Sequence, residues 1–325
     1  MKIYKTGIIG CGGIAQKMAA TLEKMKGVER YAVASRNQEK AEAFANKWGF
    51  TKAYGSYEEL ASDPEVDLIY IATPHAMHYD NAHMCIEKGK PVLCEKAFTA
   101  NARQAEDLLA FAKEKGVFIT EAIWTRYMPL SLKIQELLKE GVIGTPYTLS
   151  ANLSYPISNK ERIIRPELAG GALLDIGVYT LNFAAMAFGS DIAEIHSVCQ
   201  KTQTGVDAQE SITLFYKDGR MATLQSSIYA KSDRMGVISG DKGHLIVENI
   251  NCPESVRVVD ENYKTIAVYH APEQISGYEY QVYASIEAIE KGWLESPYMP
   301  HAETLRIMKQ MDNLRKEWGV IYPCD

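Results

Sequence analysis

Gly10, Gly12 and Ala15 stand at G-x-G-x-x-A spacing in Gly10-Cys11-Gly12-Gly13-Ile14-Ala15. That spacing suits a main chain that must come close to a pyrophosphate. Gly10 allows a tight turn, and Gly12 lets the backbone approach the phosphates. Ala15 lets the following helix pack closely on the strand before it, and the N–H groups at the helix start face the anion. The flanks agree. Lys5-Thr6-Gly7-Ile8-Ile9 is a short apolar run that reads as a buried strand, and Ala15, Met18, Ala19, Leu22 and Met25 recur at helical spacing after it. The sequence therefore predicts a dinucleotide-binding turn.

The end of the second strand, Tyr31 to Ala34, is where such folds choose between NAD and NADP. An acidic residue there would accept hydrogen bonds from the adenosine ribose; Ser35-Arg36-Asn37 stands in its place. Without a carboxylate to repel a 2′-phosphate, Ser35 can donate to it and Arg36 can pair with it. A charge-assisted bond of about 1.5–3 kcal/mol gives a ten- to hundred-fold preference, so NADP is expected over NAD.

Other residues of chemical interest lie further on. Thr73-Pro74 ends an apolar strand, Asp67 to Ala72, at the sheet edge where ligands bind, and His75, His78 and His83 follow. No carboxylate or thiolate completes a metal-ligand spacing with them, so no metal is expected. Glu95-Lys96 closes the next strand, Pro91 to Cys94. Asp175 and Tyr179 are four apart in the apolar stretch Gly170-Gly171-Ala172-Leu173-Leu174-Asp175-Ile176-Gly177-Val178-Tyr179, hence on one face if it is helical. An unpaired buried Asp is costly. The residues alone leave two readings open: a pocket-facing Asp/Tyr pair, or a capped helix with a half-buried tyrosine. Tyr278, Tyr280 and Tyr283 either line a pocket or fill the core.

These residues need a scaffold. Helical patterns run from Ile14 to Met25, Gln38 to Trp48, Tyr79 to Lys88 and Asn101 to Lys115, and Ser56-Tyr57-Glu58-Glu59 is a capping box. They alternate with short apolar strands, the last from Val117 to Glu121. This predicts an α/β Rossmann domain with a doubly wound parallel sheet over residues 1–122. Residues 123–325 read as an α+β domain for substrate binding and oligomerisation, with a large open, mostly antiparallel sheet. There, a helix from Leu130 to Lys139 precedes a strand region from Thr145 to Tyr155. Asn159 to Glu167 reads as a charged loop. Seven further strand runs lie between Ile192 and Tyr269, and Tyr278 to Lys291 and Glu303 to Trp318 read as helices. Gln203 to Asp207 is a loop with no evident role.

Composition bounds the possibilities. The 325 residues are 46% hydrophobic and 23% charged, with a net charge of −6. That charge argues against sequence-independent nucleic-acid binding. Cys11, Cys85, Cys94, Cys199, Cys252 and Cys324 are scattered, as expected of reduced thiols in the cytoplasm. The chain enters its first strand without a leader pattern, and Asp175 and Asn182 interrupt its longest apolar run, so no membrane partner is expected.

The order of Gly10-Cys11-Gly12-Gly13-Ile14-Ala15, Ala72-Thr73-Pro74 with His78, and Glu95-Lys96 resembles the Gfo/Idh/MocA oxidoreductases. The stretch Glu121-Ala122-Ile123-Trp124-Thr125-Arg126-Tyr127 is similar to their dimeric dihydrodiol dehydrogenase branch. The resemblance implies Lys96 as the catalytic lysine of a Glu-Lys-Pro motif, with Ala97 replacing the proline. It implies that Thr73, Pro74, His78 and Glu95 border the cofactor, with Trp124 and Arg126 near the nicotinamide. Most of the family has Asp-x-Gly-x-His; the glucose–fructose oxidoreductase and dihydrodiol dehydrogenase branches have tyrosine for histidine. Tyr179 is then the proton-transfer residue, with Asp175 and Lys96 beside it. The implied activity moves a hydride to or from a carbinol or carbonyl carbon of a small sugar, polyol or trans-dihydrodiol. A tyrosine titrates near ~10, so it serves as an acid without tuning; as a base it must fall to near 7, about 4 kcal/mol, which a lysine ammonium favours. A homodimer or homotetramer through the C-terminal sheet is also implied. The competing expectations are a catalytically silent NADP-sensing protein and a reductase of a non-sugar substrate.

Overall fold

The apolar runs of the first third become strands that are buried on both faces. A computed structural model describes residues 2–325. Its first sheet contains β1 (Tyr4–Ile9), β2 (Val28–Ala34), β3 (Lys52–Tyr54), β4 (Leu68–Ile71), β5 (Val92–Glu95) and β6 (Ile119–Ala122). The strands are parallel, in the order β3-β2-β1-β4-β5-β6. That is the dinucleotide-binding order, which reverses direction beside β1. Ile8, Ile9, Ile69, Ile71 and Leu93 are fully buried, and each contributes about 1.5–3 kcal/mol by leaving water.

The crossovers are α1 (Gly13–Lys24), α2 (Gln38–Trp48), α3 (Tyr57–Ser62), α4 (His78–Glu87) and α5 (Ala102–Lys115). Their starts follow the capping chemistry. Asn37 accepts from the Lys40 N–H, Ser56 from the Glu59 N–H and Asn101 from the Gln104 N–H. β3 has no counterpart among the predicted strands, because three residues are too few to show a period.

The chain forms two compact units. The first contains residues 1–124 and also 275–309, together with Cys324. Within it, the Ile119 N–H donates to the Leu294 carbonyl at 3.1 Å, and the Ser276 hydroxyl lies 2.7 Å from that of Thr21. A single cut after residue 122 does not show this return. The contacts that make it join positions more than 150 residues apart, and hydrophobic period carries no such information.

The second unit contains residues 125–274 and 310–323, with Asp325. It holds α6 (Pro129–Lys139), α7 (Glu161–Ile164) and α8 (Val178–Phe188). Its sheet has the order β14-β13-β12-β11-β7-β10-β9-β8. The strands are β7 (Pro146–Ser154), β8 (Ile192–Lys201), β9 (Asp207–Tyr216), β10 (Met221–Ser227), β11 (Gly236–Gly240), β12 (Gly243–Glu248), β13 (Ser255–Asp260) and β14 (Thr265–His270). All pairs are antiparallel except β7 with β10. Alternation along β9 buries Ala208, Glu210, Ile212 and Leu214. α9 (Glu279–Glu290) belongs to the first unit, and α10 (His301–Trp318) has residues in each. The stretch Pro166–Phe188 is long and apolar enough to cross a membrane by length and composition, and 83% of its apolar window is buried inside the structure.

Candidate active site

Gly10 leaves β1 with φ +102°, and its N–H donates to the Ala34 carbonyl at 2.9 Å. A Cβ there would stand 2.9 Å from the Ala72 oxygen. The turn is thus gripped from both sides, by β2 and by the end of β4. Gly12 caps α1 without a side-chain hydrogen bond, and the first turn of α1 contains no acid. A Cβ on Gly13 would meet no described atom within 4 Å. Ile14 follows in the same turn, and Ala15 is fully buried beneath it. The start of α1 therefore presents N–H groups and a positive dipole end to open space, which fits a pyrophosphate. Cys11 in this turn is half-buried, and burial raises its thiol above the ordinary range.

Ser35 is buried, with its N–H on the Tyr54 carbonyl at 3.1 Å; Arg36 is exposed. Burial raises the Tyr57 phenol above its ordinary range, with the Arg36 guanidinium pulling the other way, and the Lys40 charge reaches Cys11. Two cations therefore border the end of β2.

Thr73 and Pro74 lead from β4 toward α4. His78, at the start of α4, is fully buried between Nε2···Thr73 O and Nδ1···Ala97 O, both 2.8 Å. Burial, the largest influence, lowers its pKa despite the two carbonyls. Asn81 donates to the Thr73 hydroxyl at 3.1 Å. The Tyr70 hydroxyl donates to Glu95, and Lys96 follows, half-buried, with a cis peptide bond to Ala97. The next residues are pinned as well. The Phe98 N–H donates to Glu121 Oε1 at 3.2 Å, and the Cys94 thiol approaches the Phe98 carbonyl at 3.6 Å. His78 and Glu95, expected at the cofactor, thus have observed partners that are protein groups: they tie the Lys96 turn to β4. His83 stacks on Phe111 at 4.0 Å. Trp124 stacks on Tyr278 with centroids 4.1 Å apart and planes 9° apart.

In the second unit, Arg126 is buried on a 3₁₀ turn, and its neighbour Thr125 donates to the Asn251 carbonyl. Asp175 lies in a π-helical turn, Leu173–Gly177, that runs directly into α8, which carries Tyr179. Both residues are buried. Asp175 is paired with Arg162 of α7, a segment whose charges read as a loop. The Gly-Gly before this turn has a steric cause. Gly171 adopts φ +120°, and a Cβ on it would stand 2.2 Å from Asp207 Oδ1. The Tyr322 hydroxyl donates to the Gly170 carbonyl at 2.6 Å. The partners of Arg162, Asp207 and Glu121 escaped the sequence reading because they are 13 to 34 residues distant, and no local pattern marks them.

The comparisons agree with this geometry. A family model described as an oxidoreductase family with an NAD-binding Rossmann fold matches residues 4–122, and the Gfo/Idh/MocA C-terminal domain matches residues 131–246. The chain is 36% identical to the trans-1,2-dihydrobenzene-1,2-diol dehydrogenase of Xenopus tropicalis, over 98% of this chain and 99% of the relative. It is 34% identical to the human enzyme of that name, over 98% of both chains. A 3-ketoreductase of Actinomadura kijaniata, solved with NADP and TDP-benzene, superposes with TM-score 0.87 at 25% identity, over 96% of this chain and 97% of that one. An aldose-aldose oxidoreductase of Caulobacter crescentus shares the fold, with TM-score 0.88 at 19% identity over 98% of both chains. The chain belongs to the Gfo/Idh/MocA family of NAD(P)-dependent oxidoreductases.

Proposed function

We propose that the chain is an NADP(H)-preferring dehydrogenase or reductase acting on a CH–OH group of a small polyhydroxylated substrate: a sugar, a polyol or a trans-dihydrodiol. The observation that carries this reading is the open, uncapped start of α1 beside an end of β2 that is followed by Ser35 and Arg36, with no acid before α2 begins at Gln38. Gly10 to Ala15 would hold the pyrophosphate, and Ser35 with Arg36 the 2′-phosphate. The nicotinamide supplies or accepts the hydride. The substrate class follows the names of the relatives, which act on a dihydrodiol, a keto group or an aldose.

The residues divide the remaining work. In reduction, the Tyr179 hydroxyl gives its proton to the oxygen of the carbonyl carbon that receives the hydride. In oxidation, a phenolate takes the proton from the hydroxyl whose carbon loses it. The family resemblance sets Lys96 beside Tyr179, where its charge would favour the phenolate and a developing alkoxide. Asp175 orients the proton-transfer face. Trp124 and Arg126 border the nicotinamide end. The reading also places the protein in the cytoplasm as a homodimer or homotetramer. In support, its six cysteines are free thiols, and Val198, Phe215 and Val268 are exposed on the eight-stranded sheet.

The test follows absorbance of the reduced nicotinamide with NADP, then NAD, over a panel of aldoses, polyols and dihydrodiols. Turnover with NADP is expected, and Tyr179→Phe should lower kcat by about 10²–10⁴ with NADP affinity unchanged. Full activity of that variant would remove Tyr179 from the chemistry. Cofactor binding with no turnover on any substrate would overturn the enzyme reading.

A further inference from the structure

The π-helical turn Leu173–Gly177 is an uncommon conformation that needs support, since its hydrogen bonds are poorer than those of an α-helix. Two carboxyl groups of β9 flank it. At its start, Asp207 Oδ2 accepts the Leu173 N–H at 2.5 Å, satisfying one of the donors that a helix start leaves open. At its end, Glu210 lies against Gly177: a Cβ there would stand 2.6 Å from Glu210 Oε1. Residues 207 and 210 should face opposite sides of a regular strand. They face the same turn because the β8–β9 register slips by one: Gln200 pairs with Gln209, but Lys201 pairs with Asp207. Such a bulge re-aims a side chain.

Each carboxyl also dictates a glycine. Asp207 fills the space of a side chain at Gly171, and Glu210 that of one at Gly177, so the two glycines bracket Asp175 at the positions the acids require. Glu210 is 3% exposed. Ser226 is its neighbour that favours charge, yet neither carboxyl oxygen closes a hydrogen bond among the described residues.

We propose that Asp207 and Glu210 form a paired-carboxyl clamp that holds Leu173–Gly177 in its π form, making Glu210 a positioning residue for Asp175 and Tyr179. The functional half of this rests on the site reading above; the structural half does not.

The surroundings give the clamp a pH dependence. Asp207 faces Leu173 and Ala172 amides, Arg315 of α10, Tyr322 and Cys199 of β8; Glu210 faces Asp207, Ser226 and Cys199. Burial raises Asp207 to about 6, and burial with the Asp207 charge raises Glu210 well above the usual range. Folded-state pKa values above the unfolded ones mean that stability is full at pH below ~4 and is lost as pH rises through the folded values.

The experiment measures thermal midpoints from pH 5 to 9 for the wild type, Glu210→Gln, Glu210→Ala, Gly177→Ala, and Gly177→Ala combined with Glu210→Ala. Glu210→Gln keeps the shape without the charge. Its midpoint should exceed the wild type by at least about 3 °C at pH 8 and match it near pH 5. Gly177→Ala alone should lower both the midpoint and kcat, and adding Glu210→Ala should restore kcat about tenfold, with NADP affinity unchanged in all variants. Equal pH slopes in wild type and Glu210→Gln would overturn the clamp. So would strictly additive effects at 177 and 210. Because the midpoints need no turnover, failure of the clamp is separable from failure of the proposed activity.

Discussion

Arg162 holds Asp175 at two points, with Nη1 2.8 Å from Oδ1 and Nη2 3.4 Å from Oδ2. The aspartate is nearly enclosed, while the arginine side chain is 43% exposed. α7 brings Arg162 there because its backbone is bonded to the glycine turn: the Gly171 N–H donates to the Ile163 carbonyl at 2.8 Å. The Asp–Tyr segment thus carries its own counter-charge from one short helix.

Removing that counter-charge tests its importance. Arg162→Ala should destabilise the protein by about 1–3 kcal/mol, less than a fully buried pair would, because water reaches the arginine. Arg162→Lys should recover part of the stability but not the two-point geometry, so kcat should stay reduced. Urea unfolding with steady-state kinetics on the three proteins checks this; equal kcat in wild type and Arg162→Ala would show that the pair is structural only.

The proposed NADP preference rests on the residues after β2. Arg36→Ala should weaken NADP about tenfold or more and leave NAD unchanged, since only the 2′-phosphate distinguishes them. Ser35→Asp should go further and favour NAD, because a carboxylate repels the phosphate and accepts from the ribose hydroxyls. Calorimetric titration of each variant with both nucleotides measures this. An equal loss for NAD and NADP in Arg36→Ala would place Arg36 elsewhere on the cofactor.

The sequence showed what repeats locally. Parallel strands buried on both faces read as unbroken apolar runs, so the path from β1 through β6 was visible apart from β3. Ser56 marked a helix start in the sequence, and in the structure Asn37, Ser56 and Asn101 each accept from an amide three residues on. What stayed hidden depends on distant partners. Leu173 to Val178 have the apolar character of any core helix, and nothing in them signals that β9 holds the turn in π form. The Asp207 side chain faces that turn only through a one-residue slip against β8. The resemblance sets His78 at the cofactor; its burial between two carbonyls is a separate feature that needed the fold to be seen.

His78 gives the protein an acid-side weakness. Burial, the largest influence, pushes its imidazole below the ordinary ~6.5, and the Lys96 charge pushes the same way. The folded state therefore refuses a proton that the unfolded chain accepts. The contribution of His78 to stability is full above pH ~6.5 and falls as pH drops below it, by up to ~1.4 kcal/mol per pH unit until folded His78 titrates. His78→Gln should be less stable at pH 7.5 but should lose less on going to pH 5.5. Urea midpoints at both values decide the matter; parallel losses would mean that His78 is not the group responsible.

Gly10 and Gly13 sit three residues apart in one turn, and their substitution should fail for different reasons. Gly10→Ala puts a side chain at φ +102°, 2.9 Å from the Ala72 oxygen. Strain of about 1–3 kcal/mol should appear as lost stability with or without cofactor. Gly13→Ala meets no described atom within 4 Å and lies in the first turn of α1, so the empty protein should be as stable or up to about 1 kcal/mol more stable. Its methyl group instead enters the space into which the α1 amides open. Gly13→Ala should therefore bind NADP at least about tenfold more weakly while its melting temperature without cofactor is unchanged or higher, and NADP should stabilise it less than the wild type at equal concentration. Thermal melts with and without NADP separate the two variants. If Gly13→Ala bound NADP as tightly as the wild type, the phosphates would have to lie elsewhere than at the start of α1.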